Sequence, residues 1–97
     1  MEDLEKITII PKELLNQVVF FKNDVLENDP KRARLRNIYL RKAQTIGNVY
    51  KHKVKLYFKT NENEALGIET TIWSADEDFI TVKGGSIPTK AILGIDF

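Results

Sequence analysis

The period of the hydrophobic pattern changes at Gly47-Asn48, and this change divides the chain into two structural parts. Before it, apolar residues recur every three or four positions, which is the spacing of an amphipathic helix. After it, Val54, Leu56 and Phe58 alternate with polar residues, which is the pattern of a strand with one buried face. The order of the two parts predicts an α+β fold with helices first and antiparallel strands second.

The second of two predicted helices has clear signals at both ends. Asn28-Asp29-Pro30 precedes it, so Asp29 is predicted to cap the first turn and Pro30 to take the first helical position. Gly47-Asn48 follows it, as is typical of a helix C-terminus. These signals predict a helix over 31–46. Its buried face is predicted to carry Leu35, Ile38, Tyr39 and Ile46.

The first predicted helix spans residues 12–27 and follows an extended or frayed segment over 1–10. Pro11 suits a helix entry, and the apolar residues after it have near-helical spacing. The length of the apolar pattern favours a helix. Val18-Val19-Phe20-Phe21 also suits a strand, so the strand alternative stays open for this segment.

The second part of the chain predicts short strands separated by polar turns, with Gly84-Gly85 as a tight hairpin turn. We expect a five-stranded antiparallel meander that follows the two N-terminal helices and forms a small Sm-like barrel or a strongly bent sheet. The predicted strands are 53–59, 66–74, 79–83, 86–87 and 92–97. The residues predicted to line the core are Val54, Leu56, Phe58, Ile68, Ile72, Ile95 and Phe97.

The chain is long enough for one core. Its 97 residues are 42% hydrophobic, which fits a single domain over 1–97. The helical part is predicted over 12–47 and the β part over 49–97.

Two short motifs in the β part resemble a known group of proteins. Glu69-Thr70-Thr71-Ile72-Trp73 (E-T-T-x-W) is followed by Lys83-Gly84-Gly85 and Pro88 (K-G-G-x-x-P). They resemble a family of small uncharacterised bacterial proteins of the Bacteroidetes type, and the resemblance covers roughly the last half of the chain. It implies no activity and no functional residue.

Charge is strongly segregated along the chain although the net charge is only +1. Residues 31–60 hold ten Lys or Arg and no Asp or Glu, whereas 1–30 and 61–97 each hold seven acidic residues. Such asymmetry is typical of a surface for nucleic acid or another partner. It also fits a fold in which the acidic ends cover and neutralise the basic middle.

The basic middle predicts a candidate nucleic-acid surface on two elements. One polar stripe on the predicted helix carries arginines and side-chain amides, which suit phosphate oxygens and base edges. One face of the first strand carries lysines around a tyrosine, which suits phosphates and a stacked base of RNA or single-stranded DNA. The candidate residues are Arg34, Asn37, Arg41 and Gln44 on the helix and Lys53, Lys55, Tyr57 and Lys59 on the strand.

A second hypothesis assigns the same charges to a protein-interaction or self-assembly module without a nucleic-acid role. Lys55 is predicted to lie opposite Glu69 on the neighbouring strand and to be neutralised there. Trp73 is predicted on the outward face of its strand, where it marks a partner interface or, more simply, packs under one of the helices. A protein partner and a homo-oligomer are both open under this hypothesis.

Several classes of function are disfavoured by composition. The chain has no cysteine and one histidine, His52, so we expect no metal site and no cofactor. No nucleophile or phosphate-loop motif is present, and we expect a protein that is not an enzyme. The apolar runs are too short to span a bilayer and the N-terminus is acidic, so we expect a cytoplasmic protein without a membrane segment.

Overall fold

The computed structural model describes residues 7–97, and its longest element is the helix α1 (Pro30–Tyr50). Asp29 caps this helix as predicted, since its Oδ1 atom accepts a hydrogen bond from the Arg32 amide at 3.1 Å. Lys51 ends it in the left-handed conformation with φ of 54°. The predicted helix over 31–46 is confirmed and extends to Tyr50.

Two β-sheets and two short 3₁₀ helices make up the rest of the described structure. The strands are β1 (Thr8–Ile9), β2 (Val54–Lys59), β3 (Ala65–Thr70), β4 (Ile72–Ala75), β5 (Phe79–Val82), β6 (Gly85–Pro88) and β7 (Ile92–Asp96), and the 3₁₀ helices are Lys12–Gln17 and Thr89–Ala91. One sheet has the order β1-β3-β2-β7, in which β1 and β3 are parallel. The other has the order β4-β5-β6 and is antiparallel.

The predicted architecture is therefore wrong beyond its α+β class. Residues 7–97 contain one α-helix rather than two, and their seven strands form two sheets that do not close, rather than a five-stranded meander in a small Sm-like barrel or strongly bent sheet. The predicted strand 66–74 is interrupted at Thr71, so β3 and β4 lie in different sheets. None of the helices in this range is long and apolar enough to cross a membrane.

The predicted helix over 12–27 is wrong as well. Only Lys12–Gln17 is helical, as a 3₁₀ helix. Val18 after it is extended, and the chain then passes through the bridge at Phe20 to a turn over 25–28. Phe20 forms a β-bridge with Thr60, and the amide of Phe21 donates to the carbonyl of Lys59 at 3.0 Å. Pairing with the end of β2 satisfies the backbone of the β-branched and aromatic cluster, so the strand alternative describes it better. Of the predicted frayed segment, 1–6 lie outside the described residues.

The core joins α1 to both sheets. Val54, Leu56, Phe58, Ile68 and Ile72 are buried in one cluster as predicted, and the ring of Phe58 meets Phe20 edge-on at 5.3 Å. Ile95 packs against this cluster from its edge. Phe97 is predicted to be buried and is instead exposed, because it follows the end of β7 and its ring meets Tyr39 edge-on outside the core.

The predicted buried face of α1 is also wrong. Leu35, Ile38 and Tyr39 are 40%, 53% and 43% exposed, and only Ile46 of the predicted set packs on the core. The face that is buried carries Arg36, Leu40, Ala43 and Gly47. Small residues there allow close packing, since a Cβ atom on Gly47 would lie only 2.5 Å from the carbonyl oxygen of Ile72.

Replacing the helix cap tests the assignment of Asp29. Asp29→Ala is expected to lower the free energy of unfolding by about 0.5–2 kcal/mol, because the Arg32 amide loses its acceptor. Asp29→Asn keeps an acceptor oxygen and is expected to cost clearly less. Urea denaturation of the three proteins measures the difference, and an alanine variant as stable as the wild type would contradict the assignment.

Candidate interaction surface

The helix α1 lies between the free edges of the two sheets and bonds to both. On one flank, Arg36 Nη1 donates to the carbonyl oxygen of Ile92 at the start of β7, at 3.2 Å. On the other flank, Gln44 Oε1 accepts a hydrogen bond from the amide of Ala75 on β4. Both strands are outermost in their sheets, so two helix side chains satisfy backbone groups that the sheets leave unpaired.

Arg36 is held in place by Asp24, which lies in the turn before the helix. Its two terminal nitrogens donate to Asp24 Oδ1 at 2.9 Å and to Oδ2 at 3.1 Å. Burial acts to raise the pKa of Asp24, but hydrogen bonds from Arg36 and the Leu26 amide and the nearby positive charge outweigh it and leave the pKa below its ordinary value. Arg36 and Asp24 form the one ion pair within residues 7–97.

The outward side of α1 carries apolar and cationic residues side by side. We define the outer face of α1 as Lys31, Arg34, Leu35, Ile38, Tyr39 and Lys42, all of which are exposed. Tyr39 meets the ring of Phe97 edge-on at 6.0 Å, and Lys42 Nζ lies 5.4 Å from the centre of that ring. The end of β7 therefore extends the apolar part of this surface.

A groove separates α1 from β7 beside the outer face. We call it the α1–β7 groove. It has a volume of about 260 Å³ and is walled mainly by apolar groups. Its lining includes Arg32, Leu35 and Tyr39 from the helix and Leu93, Gly94 and Ile95 from the strand.

The predicted helical stripe borders the acidic turn after β4. Arg34, Asn37 and Arg41 are exposed, whereas Gln44 is half-buried and bonded to Ala75. Asn37 and Arg41 line a small cavity of about 60 Å³ whose other wall includes Asp76 and Glu77. Acidic residues thus lie beside this part of the basic segment, which fits the self-neutralising interpretation.

The predicted strand row offers little open surface. Lys53 is exposed, but Lys55 is half-buried and lies in register between Glu69 on β3 and Asp96 on β7. Its predicted position opposite Glu69 is confirmed, whereas no ion pair joins the two side chains within residues 7–97. Tyr57 is 3% exposed. Lys59 is half-buried, with its Nζ atom 5.6 Å from the ring centre of Phe21.

The burial of Tyr57 has a local cause. It lies opposite Gly67 on β3, and a Cβ atom on Gly67 would come within 2.9 Å of the tyrosine ring and 2.7 Å of Ile9. The ring therefore fills the space that the missing side chain leaves. None of the cavities described in residues 7–97 is lined by residues of both the strand row and the stripe on α1.

The sequence also predicts the surroundings of Trp73 and the position of the hairpin turn at Gly84-Gly85. Trp73 is 53% exposed and does not pack under the helix, so that prediction is wrong. In the turn after β4, Asp76 Oδ1 accepts hydrogen bonds from the amides of Phe79 and Asp78 at 2.8 Å, and these bonds lower the pKa of Asp76. The hairpin turn is Lys83-Gly84, one residue earlier than predicted.

Comparison with known proteins adds no assignment, since no family model, curated protein or solved structure gives a significant match to the chain.

Neutralising Asp24 tests the ion pair that positions α1. Asp24→Asn is expected to cost about 1.5–3 kcal/mol near neutral pH, because a buried guanidinium loses its charged partner. A carboxylate whose pKa is lowered by folding stabilises the fold above its unfolded pKa of about 3.9, and this contribution is lost as pH falls towards the folded value. The difference between wild type and variant should therefore shrink in acid.

Urea denaturation over a pH series measures this difference. Glu27→Gln removes an exposed carboxylate from the same turn and serves as the matched control. A wild-type advantage that stays constant down to the lowest pH at which both proteins fold would contradict the assigned role of Asp24.

Proposed function

We propose that this chain is a small non-enzymatic protein-interaction module that binds its partner through the outer face of α1. The observation that carries the proposal is the exposure of Leu35, Ile38 and Tyr39 on a helix whose opposite side is already buried in the core. Contiguous exposed apolar side chains rimmed by charge are typical of interaction sites, whereas single ones are ordinary.

The cations on the same face define the chemistry of the partner. Lys31, Arg34 and Lys42 are exposed, and none of them has a carboxylate within ion-pair distance in residues 7–97. A complementary surface would carry acidic groups around apolar ones. The acidic groups would steer encounter and select the partner, and the apolar contacts would supply most of the affinity.

The non-enzymatic part of the proposal rests on the residue inventory. His52 is exposed and directly precedes Lys53. Among the described residues, no group of three or more His, Cys, Asp or Glu side chains is arranged to hold a metal ion. The groups that do interact closely, Arg36 with Asp24 and Gln44 with Ala75, are engaged in holding the fold together.

Nucleic acid is the second candidate ligand, and one observation favours it. Arg34 and Arg41 are exposed on one stripe of α1, and neither forms an ion pair within residues 7–97. The strand row supports this candidate poorly, because Tyr57 is buried and Lys55 lies between two acidic residues. A stacking platform for single-stranded bases needs an accessible ring.

Quantitative affinity capture tests the protein-interaction proposal. The tagged chain and its Ile38→Glu variant are used as baits in nuclease-treated lysate of the organism that makes the chain. Val19→Glu, the same change at an exposed site outside α1, is the matched control. A partner is expected to be retained by the wild type and the control and lost from Ile38→Glu, because a carboxylate would sit in the apolar patch.

A captured protein supports the proposal only when, once purified, it rebinds the wild-type chain and not the variant. Material that disappears on nuclease treatment would instead favour nucleic acid. A capture profile identical for wild type and Ile38→Glu would refute the proposal.

Titration with labelled single-stranded RNA and DNA tests the second candidate. Binding through the arginine stripe would weaken steeply with salt, because each neutralised phosphate releases a condensed counterion. The double reversal Arg34→Glu with Arg41→Glu would then abolish it, whereas Lys22→Glu with Lys83→Glu, the same charge change elsewhere, would not. Absence of binding in low salt, or equal effects of the two double variants, removes this candidate.

A further inference from the structure

We infer that α1 binds an acidic amphipathic helix of a partner protein, which packs along the outward side of α1 as the second helix of a short coiled coil. This inference rests on the proposed function and specifies the class of partner and its mode of binding. It starts from the spacing of six residues that we call the α1 seam, which overlaps the outer face and continues it towards the end of the helix. They are Lys31, Leu35, Ile38, Lys42, Thr45 and Val49.

The α1 seam has the spacing of a heptad repeat. Its members follow one another at alternating intervals of four and three residues from 31 to 49, and all six are exposed. Three of them are apolar, and Leu35, Ile38 and Val49 are 40%, 53% and 64% exposed. Residues repeated in this way form one stripe along a helix, and a second helix with the same repeat packs into it.

The core of the protein uses a different side of α1. At about 100° per residue, the α1 seam lies roughly opposite the buried residues of the helix, which are Arg36, Leu40, Ala43 and Gly47. At a rise of about 1.5 Å per residue, the seam is about 27 Å long and can hold a partner helix of about 18 residues. Contact along the seam therefore needs no change in the core.

The α1 seam is open to solvent. Ile38 and Val49 expose more than half of their surface, so no described element covers them. Lys42 Nζ lies 5.4 Å from the centre of the Phe97 ring, and that ring also meets Tyr39 edge-on, which places Phe97 on the β7 side of the seam. A helix that approaches from solvent would contact the seam directly, with Phe97 at one border.

Positive charge lies in the seam and along one side of it. Lys31 and Lys42 are members of the seam, and Arg34 and Arg41 each directly precede one of its residues. In a coiled coil these flanking positions contact the charged flank of the other helix. The chain carries no Asp or Glu between residues 30 and 50. A partner helix with glutamates beside its apolar stripe is therefore favoured.

Acidic residues of this chain lie on both flanks of the seam. Asp76 and Glu77 border Arg41 in the small cavity beside β4, and Asp96 lies on β7 in register with Lys55. None of the three forms an ion pair within residues 7–97. Neither lysine of the seam has a carboxylate within ion-pair distance in that range, so a partner still meets positive charge there.

Charge also decides against a second copy of this chain as the partner. In a parallel coiled coil of two copies, Lys31 would face Lys31 and Lys42 would face Lys42. In an antiparallel one with the seams fully overlapped, the edges that carry Arg34 and Arg41 would lie against each other. Both arrangements place like charges together, which is unfavourable at an interface.

Fluorescence anisotropy with a defined probe tests the inference on the full chain. The probe is a labelled peptide of three heptads, with leucine at both core positions and glutamate at both flanking positions of each heptad. One comparison probe replaces glutamate by lysine, and another keeps the composition but permutes the order so that no apolar stripe forms. The glutamate probe is expected to bind with a gain in helical circular dichroism, and both comparison probes are expected to fail.

Two pairs of protein variants locate the site. Val49→Glu is expected to weaken binding of the glutamate probe at least about tenfold, because it places a like charge in the seam. Its control is Val19→Glu, the same change at an exposed site outside α1. Lys42→Glu is expected to have an effect of the same size, with Lys83→Glu, outside α1, as its control. Both controls are expected to change affinity less than about twofold, and thermal melts confirm that all four variants fold.

Each alternative outcome overturns the inference. Equal binding of the permuted probe would show that charge alone is recognised, and equal effects of Val49→Glu and Val19→Glu would place the probe elsewhere. Sedimentation of the chain alone, showing a dimer that Val49→Glu abolishes, would assign the seam to a second copy. Failure of the glutamate probe would refute the coiled coil, and capture of a partner that still depends on Ile38 would then leave the proposed function standing.

Discussion

The ion pair between Asp24 and Arg36 determines how α1 sits on the sheets, and the exposed surface follows from it. One guanidinium joins the turn before the helix, the helix itself and the first residue of β7 through three hydrogen bonds. A guanidinium is costly to bury unless it is paired and hydrogen-bonded, and Asp24 supplies both charge and geometry. Arg36 Nε is buried without a hydrogen-bond partner among the described residues, so the guanidinium is not fully hydrogen-bonded. Rotating the helix about its axis would break these three bonds.

That rotation leaves two different surfaces on α1. The inward side packs on the sheets through Leu40, Ala43 and Gly47. Because Gly47 has no side chain, the helix approaches the backbone of Ile72 closely. The outward side keeps Leu35, Ile38 and Tyr39 in solvent, although burying a side chain of this size would contribute about 1.5–3 kcal/mol. A fold that leaves this stabilisation unused on its longest helix has an apolar surface available for a partner.

Local signals in the sequence are sufficient to predict α1 and β2 but not the segments that pack around them. Asp29-Pro30 defines the helix start through bonds within a few residues, and the alternation over Val54–Lys59 needs only the strand period. The segment around Phe20 was mispredicted because its extended form depends on a bridge to Thr60, forty residues further along the chain. The helix face was mispredicted because two sets of residues share the helical period. The set that is buried includes an arginine and a glycine, which hydropathy alone ranks below leucine and isoleucine.

The sequence predicts the basic composition of the candidate site but not where its residues lie in the fold. The basic character of residues 31–60 is a property of the sequence, and the position of Lys55 opposite Glu69 was predicted from the strand pattern. The fate of Tyr57 depends on register, because its ring is buried only where its partner on β3 is Gly67. Shifting the pairing by one residue would place Ile68 or Leu66 opposite the tyrosine and deny its ring that space. The register of β2 and β3 therefore buries the ring of Tyr57. The rotation of α1, held by the bonds of Arg36, leaves the ring of Tyr39 exposed. The apolar side chains that this arrangement leaves exposed therefore lie on α1, beside the groove between the helix and β7.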